Sequence, residues 1–201
     1  MNNIHFTPSF SRKLLAKTSL NDYCGDKVPC EFYLLDSTQD EKYLTKQENS
    51  GEWWNSIYFP LIASDYTEDK YYLKPNISFY TMQNEDGDCL AIIEELKHSD
   101  GYRNIELMEV VPTCANRNSA RPIKYIGETM VAFFASMLRH EDEDENMCVS
   151  FPADDAKGFW KKLGFENRGR HSMEMIISEE NIDALIEKNE KHNGSKIEFV
   201  G

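Results

Sequence analysis

The chain lacks any apolar stretch long enough to cross a membrane, and its N-terminus has no long apolar core of the kind that signal peptides carry. Basic residues are also in deficit, since 22 Lys and Arg face 35 Asp and Glu and leave a net charge of −13. Such a charge disfavours nucleic acid or an anionic membrane as the main partner and favours a cationic substrate such as an amine. We therefore expect a soluble, cytoplasmic protein.

Cysteines are few and irregularly placed. The chain has five cysteines, Cys24, Cys30, Cys89, Cys114 and Cys148. No two of them form a Cys-x-x-Cys pair. An odd, scattered set is unlike a disulfide framework or a zinc site, so we expect reduced thiols and no metal. The sequence also has no internal repeat. Its one biased tract is the acidic run 141–145, which we interpret as a solvated surface loop or as a docking site for a cationic substrate.

What is present suits a folded domain, because 201 residues with 40% hydrophobic and 12% aromatic content can bury a substantial core. Periodicity predicts strands over 30–35, 77–82, 89–96, 105–111, 147–151, 172–177 and 196–200. It predicts helices over 11–20, 38–47, 52–63, 126–139, 156–163 and 179–192. We expect an antiparallel meander followed by strand, helix, strand and helix, which is a mixed α/β fold.

The stretch 105–139 organises the chain. An apolar strand ends at Pro112, a polar loop follows, and a helix with apolar residues at helical spacing begins near Gly127. Between Val110 and Gly127 there is no acidic residue, whereas three are basic: Arg117, Arg121 and Lys124. Unpaired amides at the start of a helix, together with the helix dipole, attract anions. The stretch therefore predicts a phosphate-binding loop.

These residues resemble a known family. A strand, a basic loop with glycine and a long helix are similar to the acyl-coenzyme A signature of the GNAT N-acetyltransferase superfamily. The segment 147–166 resembles the family's next strand and its A-x-x-F-Y-x-K-x-G-F helix, with matching positions at Ala156, Phe159, Trp160, Lys162, Gly164 and Phe165. Two positions depart from the pattern. The loop Lys124-Tyr125-Ile126-Gly127 lacks the first glycine of the motif, and Trp160 replaces a tyrosine.

The resemblance implies a mainly antiparallel sheet flanked by helices, with a GNAT-like domain over 29–201, its core signature at 105–165, and an extension over 1–28. It also implies acetyl-CoA as acyl donor, with pantetheine bound by the backbone of Val110 and Val111. The pyrophosphate would lie against the loop residues Arg121, Ile123, Lys124, Tyr125, Ile126, Gly127 and Glu128. Trp160 would lie near the sulfur, or would pack beneath the site.

A general base is harder to assign. Glu106 and Glu109 lie on the strand that the resemblance makes central, where charged residues are seldom buried unless paired. Because they are three residues apart, we expect them to point to opposite faces, so at most one faces the cleft. A buried carboxylate has a raised pKa that suits proton acceptance near neutrality. The alternative is an exposed or ion-paired glutamate.

The resemblance implies acetyl transfer to a primary amine of a small molecule or a protein. One alternative is a binding or regulatory protein that keeps the fold without turnover. Another is a partner-binding module that uses the acidic surface. The motifs carry no information about the acceptor or the oligomeric state.

Overall fold

The computed structural model describes residues 13–35, 77–97, 102–111, 122–141, 146–150, 152–170 and 172–200. The strands in these ranges are β1 Lys13–Asn21, β2 Lys27–Leu35, β3 Ile77–Asn84, β4 Cys89–Lys97, β5 Tyr102–Val110, β6 Asn146–Val149, β7 Glu166–Asn167, β8 Met175–Ile177 and β9 Glu198–Phe199. The helices are α1 Ile126–His140, α2 Lys157–Lys162 and α3 Glu179–Asn193.

The nine described strands form one sheet in the order β7-β8-β6-β5-β4-β3-β2-β1-β9. Neighbours pair antiparallel throughout, with β5 and β6 as the parallel exception. A parallel pair needs a crossover, and α1 lies between these two strands in the chain. The predicted class, a mixed and mainly antiparallel α/β fold, is confirmed.

The hydrophobic core lies between one face of the sheet and α1. Phe32 of β2 stacks on Phe133 with ring centroids 4.2 Å apart, and Tyr80 of β3 meets Phe133 and Phe134 edge-on. α3 packs along the other side of α1, where Asn189 donates to the Thr129 hydroxyl at 2.9 Å. Because both sides of α1 are covered, almost its whole surface is apolar and buried.

A buried ion pair lies on the same face of the sheet. The Arg103 guanidinium bonds the Glu95 carboxylate, stands 5.3 Å from the centre of the Phe134 ring, and reaches Glu141 at 2.6 Å. Tyr80 donates its hydroxyl to the second Glu95 oxygen at 2.7 Å. Glu141, the first residue of the acidic run, thus binds the core arginine; the rest of that run lies outside the described residues.

The predicted helix over 11–20 is wrong, because residues 13–21 form β1. Ala16, Thr18 and Leu20 are buried at a spacing of two, and the backbone pairs with β2 on one side and β9 on the other. The division into an extension of 1–28 and a domain of 29–201 stays a prediction. The described part of that extension belongs to the same sheet as the rest.

The remaining described elements match the predicted ones to within a few residues, apart from the short strand β7, which the sequence did not indicate. Gly164 ends α2 with a φ of 96°. Ala156 is the N-cap of α2, and the Asp154 carboxylate accepts a hydrogen bond from Lys157 at 2.7 Å. The predicted helices over 38–47 and 52–63 lie outside the described residues. Within the described ranges, no helix combines the length and hydrophobicity that crossing a membrane requires.

Candidate functional site

The two parallel strands part half-way along β5. Their pairing runs from Tyr102↔Asn146 to Ile105↔Val149, and its last bond joins the Ser150 N–H to the Ile105 carbonyl at 3.1 Å. Beyond that point β5 continues for five residues, paired only with β4 among the described strands. Among the described residues, the edge of 106–111 that faces β6 therefore has no partner strand, and an extended ligand could hydrogen-bond to its backbone.

A cavity of about 550 Å³ lies where this edge meets the start of α1. It is lined by Tyr23, Val110, Val111, Ile123, Lys124, Tyr125, Ile126, Gly127, Glu128 and Phe159. The structure thus brings together eight of the predicted cofactor-binding residues and adds Tyr23 and Phe159. Arg121 lies outside the described residues. Trp160 is not among the lining residues.

The first turn of α1 forms one wall of the cavity. The first helical bond runs from the Thr129 N–H to the Tyr125 carbonyl at 2.8 Å, so the amides of Ile126, Gly127 and Glu128 precede the helical ladder. No side chain in the described ranges caps this helix. Three amides with the helix dipole behind them form an anion site.

Tyr125 adopts an unusual backbone conformation at this helix start. Its φ of 59° and ψ of 21° place it in the left-handed region, the position where the resembled motif has its first glycine. For a residue with a Cβ this conformation costs about 1–2 kcal/mol. The turn of the motif is therefore kept although its glycine is lost.

Side chains of α3 hold this strained residue. The Tyr125 ring stacks on His192 with centroids 4.7 Å apart, and His192 Nδ1 lies 2.6 Å from Glu128 Oε1. Lys188 approaches the other oxygen of that carboxylate at 3.4 Å. These contacts offset the cost of the left-handed residue and draw the Glu128 charge toward α3. No motif includes His192 or Lys188, so neither could be recognised from the sequence.

The turn between β1 and β2 forms the opposite wall. The Tyr23 N–H donates to the Pro122 carbonyl at 3.1 Å, and the Lys124 N–H donates to the Asn21 carbonyl at 2.9 Å. Asp22 fixes the turn by accepting bonds from the backbone of the next residues through its Oδ1. Lys124 Nζ lies 5.1 Å from the centre of the Tyr23 ring. The loop before α1 is thus tied to a hairpin 100 residues earlier in the chain.

The two candidate bases lie on one face, contrary to the predicted opposite faces. The ladder shifts from Glu94↔Leu107 to Glu95↔Ile105, so Glu106 is an extra residue, a β-bulge that reverses the alternation. Glu109 pairs with Ile92 on the side of the sheet away from α1. Glu106 accepts a hydrogen bond from the side chain of Asn104, which lies on that same side.

Their environments differ. Glu109 is half-buried, and burial raises the pKa of its carboxyl. Asn104, which holds Glu106, also donates to the Ser150 hydroxyl at 2.5 Å, at the point where β5 and β6 part. The raised pKa of the Glu109 carboxyl is a shift in the direction that a proton acceptor requires. No group of three or more His, Cys, Asp and Glu in the described ranges is arranged to bind a metal ion.

Solved structures share this architecture. AtaTR with bound AcCoA aligns with a TM-score of 0.54 at 14% identity, over 78% of this chain and 97% of that one. A chimera of the spermidine N-acetyltransferase SpeG from Vibrio cholerae with hSSAT aligns with a TM-score of 0.51 at 10% identity, over 77% and 98%. The chain shares the fold of these structures, the GNAT fold. No protein-family model matches the sequence, and no curated protein does.

Within this GNAT fold, Trp160 belongs to the core. It is 3% exposed and meets Phe159 and Phe165 edge-on, each with ring centroids 5.1 Å away. Successive side chains of a helix point about 100° apart, so Phe159 faces the cavity while Trp160 points inward. Of the two positions considered for Trp160, packing beneath the site agrees with the structure. The spacing of the motif does not reveal which aromatic residue reaches the cavity.

Proposed function

We propose that this protein is an acetyl-CoA-dependent N-acetyltransferase that transfers an acetyl group to a primary amine of a small molecule or a protein. The observation that carries the proposal is the junction of the open β5 edge with the start of α1. Pantetheine hydrogen-bonds to the backbone of Val110, which faces the open edge, and the pyrophosphate accepts bonds from the amides of residues 126–128. The Val111 N–H, also predicted to bind pantetheine, instead donates to the Leu90 carbonyl of β4 at 2.9 Å. Lys124 supplies counter-charge, together with Arg121 from the predicted set.

The reaction requires the protein to hold the two reactants in position and to provide a proton acceptor. The amine nitrogen attacks the thioester carbon, a C–N bond forms, the C–S bond breaks and the thiolate leaves. Glu109 takes the proton that the ammonium group must lose, and its half-buried position suits that role. Water protonates the thiolate, because the indole of Trp160 is buried and has no acidic proton to give.

The rival proposal is a GNAT-fold protein that binds acyl-CoA without turnover. Two observations favour it: Tyr125 occupies the first glycine position of the motif, and Trp160 occupies the position of the usual tyrosine. Both proposals require the cofactor to bind, so binding and turnover have to be measured separately.

Thermal unfolding with increasing concentrations of acetyl-CoA tests cofactor binding, which both proposals require. At about one hundred times its dissociation constant the ligand adds about 2.7 kcal/mol to the stability of the folded state. We expect such a rise with acetyl-CoA and with CoA, and an unchanged melting temperature at millimolar concentrations contradicts both proposals. The release of CoA thiol in the presence of polyamines, aminoglycosides or peptide N-termini then separates the two proposals. Acetyl-CoA binding without thiol release for any of these amines favours the rival proposal.

Replacing Gly127 by valine should destabilise the protein and weaken acetyl-CoA binding. A Cβ at residue 127 meets the Phe159 ring at 3.3 Å and the Val110 side chain at 3.6 Å, so two further methyl groups overpack this contact. We expect a loss of about 1–3 kcal/mol in urea unfolding with the circular dichroism spectrum retained.

Gly158→Val is the matched control, because an added Cβ there meets no atom within 4 Å. It lies one residue from Phe159 yet should change neither stability nor affinity appreciably. Equal losses for the two variants would show that Gly127 has no special packing role.

A further inference from the structure

The rim of the cavity carries two exposed aromatic rings. Among the described residues four large hydrophobic side chains are exposed, and two of them, Tyr23 at 51% and Tyr125 at 42%, line this cavity. The other two, Met173 and Val200, do not. Exposed rings concentrated at one opening suggest that the opening receives a flat apolar group.

Both rings are held in place before any ligand arrives. One face of Tyr125 is covered by His192, whose ring lies 19° from parallel, and His192 is fixed in turn by Glu128. Tyr23 stands on a turn bonded to the Pro122 carbonyl, with Lys124 Nζ above its ring. Fixed rings lose little entropy when a ligand stacks on them.

We propose that these two tyrosines, the tyrosine rim, bind the adenine base of the acyl carrier and so select a nucleotide-bearing thioester. The inference rests on the proposed function and adds a specificity site to it. Every base has a π-face that stacks on aromatic side chains. The Lys124 ammonium lies 5.1 Å from the centre of the Tyr23 ring, and Lys124 lines the same cavity as the start of α1, so it can bind a phosphate that joins the base to the pantetheine. An acyl group carried on protein-linked phosphopantetheine has no base to stack.

The tyrosine rim is built from distant parts of the chain. Tyr23 comes from the β1–β2 turn, Tyr125 from the loop before α1, and the ring that backs Tyr125 from the last turn of α3. Tyr125 belongs to the loop that resembles the acyl-CoA signature, whereas Tyr23 and His192 belong to no motif of that signature. Selection of the carrier therefore depends in part on residues outside the signature.

Calorimetric titration of the full chain with CoA and with 4′-phosphopantetheine tests the proposal. Tyr23→Ala and Tyr125→Gly should each weaken CoA binding about five- to a hundredfold, the loss expected for one stacked base. Tyr23→Ala should leave phosphopantetheine affinity unchanged. Tyr125→Gly lies in the loop that binds the phosphate, so it should weaken CoA binding more than phosphopantetheine binding. Glycine is chosen at residue 125 because it adopts the left-handed conformation freely, so the loop keeps its shape when the ring is lost.

Two controls accompany these variants. Tyr23→Phe keeps the ring and should keep CoA affinity, and Met173→Ala removes an exposed side chain away from the cavity. Equal losses for CoA and phosphopantetheine in the tyrosine variants, or no loss for either ligand, overturn the tyrosine rim. Wild-type protein that binds both ligands equally well also overturns it and leaves the proposed function intact. Wild-type protein that binds neither overturns both.

Discussion

Replacing Glu109 by glutamine lowers turnover by about a hundred- to ten-thousandfold, the range expected for a general base. Glutamine keeps the shape of the side chain and cannot accept the ammonium proton. The affinity for acetyl-CoA, measured by titration, should not change, because Glu109 is not among the residues that line the cavity. Steady-state kinetics at saturating amine measure the loss.

Glu106→Gln is the matched control on the same strand and the same face. Its carboxylate already accepts a bond from Asn104, and glutamine can still accept that bond through its carbonyl oxygen. We expect turnover within about tenfold of wild type, far above that of a variant lacking a general base. An equal loss in both variants, or full activity in Glu109→Gln, would refute Glu109 as the base.

Glu109→Gln should also stabilise the protein in a pH-dependent manner. Burial raises the pKa of Glu109 above its usual value of 4.5, so the folded state disfavours the charged form. The stability that the protonated group contributes is fully present below the unfolded pKa and is lost as pH rises through the folded pKa. Glutamine does not ionise. Glu109→Gln should therefore gain stability over wild type at neutral pH and little or none near pH 4 in urea unfolding.

Replacing Arg103 by methionine should lower the free energy of unfolding by about 3–5 kcal/mol, the cost of leaving a buried charge without its partner. Glu95 is 2% exposed, and Arg103 bonds its carboxylate directly. Methionine fills the space beside Phe134 but offers no donor. Arg139→Met is the control, because Arg139 makes ion pairs with Glu179 and Asp183 at the surface and should cost about 1 kcal/mol or less.

The double variant Arg103→Met with Glu95→Leu separates charge from packing. It removes both buried charges, so most of the lost stability should return even though the Tyr80 hydroxyl loses its acceptor. A single variant no less stable than Arg139→Met would show that the buried pair contributes little. A double variant no better than the single one would show that packing, and not the unpaired charge, dominates.

Local patterns predicted much of the fold because their causes are local. Alternating apolar residues defined β3, apolar runs bounded by turn residues defined β2 and β4, and helical spacing together with the acid-free loop located the start of α1. β1 was missed because its strand conformation depends on pairing with β2 and with β9, some 180 residues away. The sequence of residues 13–21 alone fits a helix about as well.

The candidate site shows the same limit. The cavity residues within one stretch, Ile123 to Glu128, could be found from the chain itself. Tyr23 and His192 could not, since only the folded sheet brings the hairpin turn and the end of α3 to that loop. The shared face of Glu106 and Glu109 depends on a single bulge, and an alternation rule has no means of locating one.

The seam between the first hairpin and the end of α3 determines when the support of the cavity is complete. The Asn21 side chain donates to the His192 carbonyl at 3.0 Å, Thr18 to the Lys196 carbonyl at 2.9 Å, and Lys27 to Asn193. Contacts between such distant residues form late, because closing a long loop has to precede them. During synthesis the edge of β1 that pairs with β9 therefore stays without that partner until residues 192–199 leave the ribosome. An unpaired strand edge favours aggregation. Until then His192 cannot stack on Tyr125, so the left-handed residue at the cavity lacks the ring contact that supports it.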